Sequence, residues 1–384
     1  MVPLSTVIAF GMLQEPAQAA SPGWEMGAMS VPQAQKVSQG AGITVAVLDT
    51  GIQTDHPALH GRATEGPNIV SGDKTSASYG EHGTAMASNV LSVAPQAKVL
   101  GIRVLSDDNA GSEDTLTTGI RYAAEHGADV ISISLGMEGI SASFDSELDA
   151  AVQYALAKGI PVVNGAGNDG DTQNMDENTV AFPSGDPGVV TVAAADSKGQ
   201  RVSFSTVHNY VDVSAPGADV TAAKIGTQDT ELIDGTSPAT ALTAGVVALI
   251  RAKHPKLAPY QITQALESTA STRQRGYNPQ TGYGMVNAQA ALAAAAKMSP
   301  AKTMAVGSTG AGKHFGPGDD GTSARAPYGM DSELTLVSVA FFAVGLLVCV
   351  GGFLLFRSGR RKRREWERQQ QQGVGAPPPS MVAY

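Results

Sequence analysis

"ITVAVLDTG", residues Ile43–Gly51, decides the fold. Its first six residues are β-branched or apolar, without the polar alternation of a strand that has one wet face, so they read as a strand covered on both sides. Such a strand belongs to a parallel sheet, and four later stretches repeat its pattern. These are "AKVLGIRVL" (Ala97–Leu105), "DVISISL" (Asp129–Leu135), "IPVVNGA" (Ile160–Ala166) and "VVTVAAA" (Val189–Ala195), with helical "LTTGIRYAAEHG" (Leu116–Gly127) and "SELDAAVQYALAKG" (Ser146–Gly159) between them. Strands alternating with helices predict an α/β fold, a doubly wound parallel sheet with helices on both faces, over residues 41–295. A sheet of this kind carries its chemistry just beyond the carboxyl ends of its strands. Asp49 falls on that rim.

Both flanks of this domain are unlike it. "LTLVSVAFFAVGLLVCVGGFLLF", Leu334–Phe356, contains no charge and is long enough to span a bilayer as one helix. The basic block "RSGRRKRRE" (Arg357–Glu365) follows it directly, which keeps the tail, residues 357–384, in the cytoplasm and puts everything before Leu334 outside. Past its basic start the tail is rich in Gln and Pro and reads as disordered. Residues 296–333, rich in Gly, Ser and Pro, read as a flexible linker. At the other end, an apolar run followed by small residues gives residues 1–20 the pattern of a signal peptide cleaved after Ala19 or Ala20, although it lacks a basic start. Residues 21–40 are then an N-terminal extension, expected to pack on the body through Trp24, Met26 and Met29.

A formal charge of −9 excludes a general nucleic-acid binder. The lone cysteine, Cys349, lies in the apolar segment, so there is neither an intrachain disulfide nor a cysteine metal site. The acidic stretches 106–114 and 169–178 contain calcium-type ligands without a defined ligand spacing, so they read as solvated loops and no metal site is assigned. The chemistry below needs no cofactor; structural calcium has no clear motif behind it.

"DGTSPATALTAGVVALI" (Asp234–Ile250) passes from a polar turn into an apolar helix. Thr236 and Ser237 suit a helix cap with Pro238 at the first helical position, or Ser237 is a nucleophile at the helix's positive end. "YGEHGTAMASNV" places His82 beside Gly83 and Thr84 at a helix start, and "VVNGAGNDG" ends a strand near Asn168. Each residue alone has a structural reading: cap, turn or helix terminus. Together, Asp49, His82, Asn168 and Ser237 supply what acyl transfer requires: an orienting carboxylate, an imidazole base, an oxyanion donor and a hydroxyl.

"VAVLDTGIQTDHPAL", "HGTAMAS", "ISISLG", "NGAGNDG" and "DGTSPATA" resemble, in order, the blocks of the subtilisin-like serine proteases, the subtilases. The resemblance runs from about Trp24 to Leu292. It implies Asp49, His82 and Ser237 as catalytic triad and Asn168 as oxyanion donor beside the Ser237 N–H. It further implies that Ser134, Leu135 and Gly136 form one wall of the cleft, pairing with an extended substrate, and that Gly165, Ala166 and Gly167 form the other wall of a first specificity pocket without a charge at its base. Three features depart from the family. Pro238 follows the serine at once, Ala241 stands where a proline is common, and residues 21–40 are too short for an inhibitory prodomain. The whole layout resembles the mycosins, the membrane-anchored subtilases of type VII secretion. The expected protein is therefore a single-pass membrane serine endopeptidase with its catalytic domain outside the cell. It would act on polypeptides, with secretion-system components as further partners. The other readings are an anchored housekeeping or scavenging protease of a Gram-positive surface, and a catalytically silent subtilase fold serving as a binding or structural subunit at the membrane.

Overall fold

The computed structural model describes residues 23–70, 78–107, 111–138, 147–170, 181–271 and 276–301. The chain divides into two units, Met1–Ser323 and Ala324–Tyr384, and all described residues lie in the first. The signal peptide, all of the linker beyond residue 301, the membrane helix and the tail read from the sequence lie outside the described residues. So does most of the acidic stretch 169–178. Among the described residues no helix is long and apolar enough to cross a membrane.

The strands, in chain order, are β1 Thr44–Asp49, β2 Ala63–Asn68, β3 Lys98–Arg103, β4 Val130–Ile133, β5 Met137–Glu138, β6 Val162–Gly165, β7 Ala181–Phe182, β8 Val190–Ala195, β9 Val213–Pro216, β10 Val220–Ala223 and β11 Thr230–Ile233. The helices are α1 Trp24–Ala28, α2 Val31–Gln35, α3 Glu81–Val93, α4 Glu113–Glu125, α5 Glu147–Ala157, α6 Thr236–Lys253, α7 Pro259–Thr269 and α8 Ala288–Ala295. Seven strands form one sheet in the order β2-β3-β1-β4-β6-β8-β9, and every pairing in it is parallel. The hairpin β10–β11 and the short β5–β7 ladder are antiparallel additions.

β1 shows why the strand is apolar throughout. Val45 and Val47 belong to a core shared with Val90 of α3 and Leu242 of α6, while Ala46 and Leu48 belong to a second core with Ile120 of α4 and Val152 of α5. Both faces are thus covered, and each fully buried Leu or Ile contributes about 1.5–3 kcal/mol. The edge strand β2, "ATEGPN", lacks this signal because it is mostly solvent-facing, and an edge tolerates Pro67.

From β1 the chain runs outward through β2 and β3, then crosses to β4 on the other side of β1. Connections that diverge in this way leave a crevice at the carboxyl ends of β1 and β4. Asp49 ends one strand; Ser134 follows the other. α3 and α6 pack against each other on the same face. A Cβ on Gly245 of α6 would lie 2.7 Å from Val93 Cβ and 2.9 Å from the Val90 carbonyl oxygen, so only glycine permits this approach.

α6 begins at Thr236 with Gly235 as its N-cap, so Ser237 is the second helical residue and Pro238 the third, not cap and first residue as the sequence suggested. The glycine makes the entry turn, and a missing N–H costs little anywhere in the first turn. Residues 23–40 are part of the packed body. Met29, Val31 and Ala34 lie in the main core, Trp24 Nε1 donates to the carbonyls of Ala218 and Asp219, and Ser38 Oγ donates to Leu249 O at 2.8 Å.

Candidate active site

Asp49 is fully buried at the end of β1, and its Oδ1 accepts the Thr50 N–H at 2.7 Å. His82, the second residue of α3, points its Nδ1 at both carboxylate oxygens, at 2.8 and 2.9 Å. A carboxylate only accepts, so Nδ1 carries the proton and Nε2 is left as the ring's free base. The imidazole is 34% exposed. Burial lowers its pKa, but the charge and hydrogen bond of Asp49 together with the charge of Glu81 outweigh that effect, and the result stands above the ordinary 6.5. The contact depends on Gly83, whose N–H donates to Thr50 Oγ1 at 3.2 Å. A Cβ there would fall 2.1 Å from the Gly51 carbonyl oxygen and 3.1 Å from Asp49 Cβ.

The Ser237 hydroxyl caps nothing. It donates to the Ser134 carbonyl at 3.2 Å, and Ser134 Oγ donates in return to Ser237 O at 3.3 Å, which ties the start of α6 to the end of β4. Asn168 is fixed by Thr236, whose N–H and hydroxyl both donate to its Oδ1, at 2.9 and 3.0 Å. With the acceptor engaged, the amide Nδ2 is the donor that remains for the cleft. His82, Ser134, Leu135, Gly136, Asn168 and Ser237 line one open cleft of about 490 Å³, floored by Leu105 and Leu116.

Gly165, Ala166 and Gly167 are not among the residues lining this cleft. A Cβ on Gly165 would lie 2.9 Å from Thr236 Oγ1, Ala166 packs with Ala193 and Val211, and the Gly167 carbonyl accepts the Thr206 N–H at 3.0 Å. Of the three, Gly165 lies against Thr236 at the start of α6. The sequence reading missed Leu105, Leu116 and the Thr236–Asn168 anchor. Leu105 was within reach, because it sits just past the carboxyl end of β3. Among the described residues, no three His, Cys, Asp or Glu side chains come together in a way that would hold a metal ion.

The arrangement offers a base held by a buried carboxylate, a hydroxyl in the same cleft, and an amide donor at a helix start. Comparison with known protein families matches residues 40–286 to the subtilase family of peptidases. The chain belongs to the subtilase family. It is 36% identical to subtilisin DY of Bacillus licheniformis over 66% of this chain and 92% of that protein. Among solved structures, this subtilase superposes on MycP1 with its N-terminal propeptide removed, with a TM-score of 0.61 and 29% identity over 70% of this chain and 96% of that one. It superposes on MycP3, a protease of the type VII (ESX-3) secretion system, with a TM-score of 0.61 and 30% identity over 71% and 88% of the two chains. The protein is a subtilisin-like serine endopeptidase, and its substrates are polypeptides.

Proposed function

We propose that this subtilase hydrolyses peptide bonds through Asp49, His82 and Ser237, from a position anchored at the outer face of a cell membrane. The contact of both Asp49 oxygens with His82 Nδ1 supports this reading best, because it leaves Nε2 free as a base on a ring that lines the same cleft as Ser237. His82 takes the hydroxyl proton as Ser237 attacks the carbonyl, and Asp49 stabilises the imidazolium that forms. The oxyanion that develops accepts hydrogen bonds from Asn168 Nδ2 and the Ser237 N–H at the positive end of α6. The imidazolium then protonates the leaving amine, and water releases the acyl enzyme by the same route reversed. Ser134, Leu135 and Gly136 pair with the acyl half of the substrate along one wall of the cleft, and Gly165, Ala166 and Gly167 form the other wall of the first specificity pocket.

Residues 334–356 form the anchor in this reading and residues 357–384 stay in the cytoplasm, with the linker holding the domain off the membrane. The likeness to MycP1 and to MycP3 supports a role beside a type VII secretion apparatus. No cofactor takes part in the chemistry. Kinetics of the full chain test the mechanism. Ser237→Ala or His82→Ala should reduce kcat to near background, whereas Asn168→Ala should lower it about 10²–10³-fold with KM little changed, a magnitude known from subtilisin itself. Full turnover in Asn168→Ala would remove the oxyanion assignment. For topology, protease added to intact cells should release the domain while a tag after Tyr384 stays protected.

A further inference from the structure

A second cavity, of about 300 Å³, shares His82 with the cleft and lies on the imidazole's other side. It contains none of Asn168, Ser134 or Gly136, the residues on the oxyanion and acyl side; Pro238, Ile233 and Asp234 line it instead. Because His82 hands its proton to the departing amine, the residue after the cleaved bond must lie on this side. The cavity has two distinct zones. Its floor is apolar, with Ala85 and Met86 buried and Ile233 half-buried, and its rim is acidic, with Glu81, Asp107, Glu231 and Asp234.

Among the described residues no lysine or arginine lines it. Asp107 is neutralised by Arg103 at 2.8 Å, and Glu231 reaches half-exposed Lys224 only at 3.8 Å. Glu81 and Asp234 form no ion pair among the described residues. Asp234 Oδ1 accepts the Asp219 N–H at 2.7 Å, and among the described residues no cation pairs with its charge. A long side chain with an apolar stem and a cationic tip matches such a cavity, because the stem covers the floor while the tip stays at the wet rim.

Resting on the catalytic reading above, we infer that the cavity bounded by Glu81, Ile233 and Asp234 selects a lysine or arginine immediately after the scissile bond. This charge selection is separate from the first pocket, whose Gly-Ala-Gly wall, read from the sequence, implies no charge at its base. The departing fragment then has a basic N-terminal residue.

The test uses the full chain in detergent and quenched peptides that differ only at that position, with Lys, Ala or Glu. The lysine peptide should exceed the alanine peptide in kcat/KM by about fivefold, the scale of a few part-exposed charge contacts, and the glutamate peptide should fall below both. The preference should shrink in about 0.5 M salt, where such contacts are screened, and vanish in the double variant Glu81→Gln, Asp234→Asn. Equal cleavage of the lysine and alanine peptides, or a preference that survives the double variant, overturns the inference while leaving the triad intact. No cleavage of any peptide, with Ser237 unreactive to a phosphonate, overturns the catalytic reading and the inference with it.

Discussion

Gly83 stands against the backbone of Gly51 so closely that a Cβ would lie 2.1 Å from the Gly51 carbonyl oxygen. This approach presses the start of α3 onto the loop after β1 and so sets the distance between His82 and Asp49. Gly83→Ala should therefore shift His82 as well as strain the fold. Overpacking of this kind typically costs about 1–3 kcal/mol. A lower melting temperature together with a loss of kcat/KM is expected. A variant that melts early but keeps full turnover in its folded fraction would separate the glycine from the site.

The pH profile follows from His82. Burial lowers the imidazole pKa, while Asp49 and Glu81 more than offset it and hold it above 6.5. A general base must be neutral, so kcat/KM should rise toward alkaline pH with its midpoint above 6.5. Glu81→Gln removes one raising charge and should move that midpoint toward acid. For stability the sign is opposite: the charged His82–Asp49 pair contributes fully below 6.5, and its contribution fades as pH rises through the raised value. An acid-limb midpoint unmoved by Glu81→Gln would count against this electrostatic account.

Asp186 is a buried carboxyl whose two oxygens have no hydrogen-bond partner among the described residues, and burial, with the charge of Asp149, pushes its pKa up to about 8. The folded protein keeps it neutral at pH values where the unfolded chain ionises it. The unfolded state therefore binds fewer protons between about pH 4 and 8, and stability should decline across that window. Asp186→Asn should melt above the parent at pH 8 and close to it at pH 5. Thermal melts at the two pH values decide this, and an equal difference at both would contradict it.

The sheet was legible in the sequence wherever burial was two-sided. β1, β3, β4, β6 and β8 are rich in apolar and β-branched residues because both of their faces are largely buried. The edge strand β2 was not legible, since half of its side chains meet water, and β9 (VSAP), β10 (VTAA) and β11 (TELI) interleave small and polar residues, so none of them shows an apolar run. The start of α6 was misread by two residues because its cap is a glycine, which leaves no side-chain signal. For the site, Asp49, His82, Asn168 and Ser237 stood out by type and order, and the fold brings Asp49 to His82, and His82, Asn168 and Ser237 into one cleft. Contacts between distant segments were invisible: Thr236 holding Asn168, Gly83 against Gly51, and the acidic rim beside His82.

Residues 23–40 should act as a structural strap. Met29, Val31 and Ala34 are buried in the main core, and Gln35 Nε2 donates to the Ser92 and Val93 carbonyls at the end of α3. A form beginning at Ala41 should melt well below one beginning at Ala20 while keeping a comparable kcat in its folded fraction. If the shorter form melted at the same temperature and became many-fold more active, the segment would be an inhibitor instead.

The central claim is that Ser237 is the nucleophile, and labelling with a fluorophosphonate tests it most directly. The intact chain should gain one probe mass, mapped by peptide mass spectrometry to Ser237. The label should vanish in Ser237→Ala and slow sharply in His82→Ala, where no base draws off the hydroxyl proton. An unlabelled parent, or a label on another residue that persists in Ser237→Ala, would contradict the account.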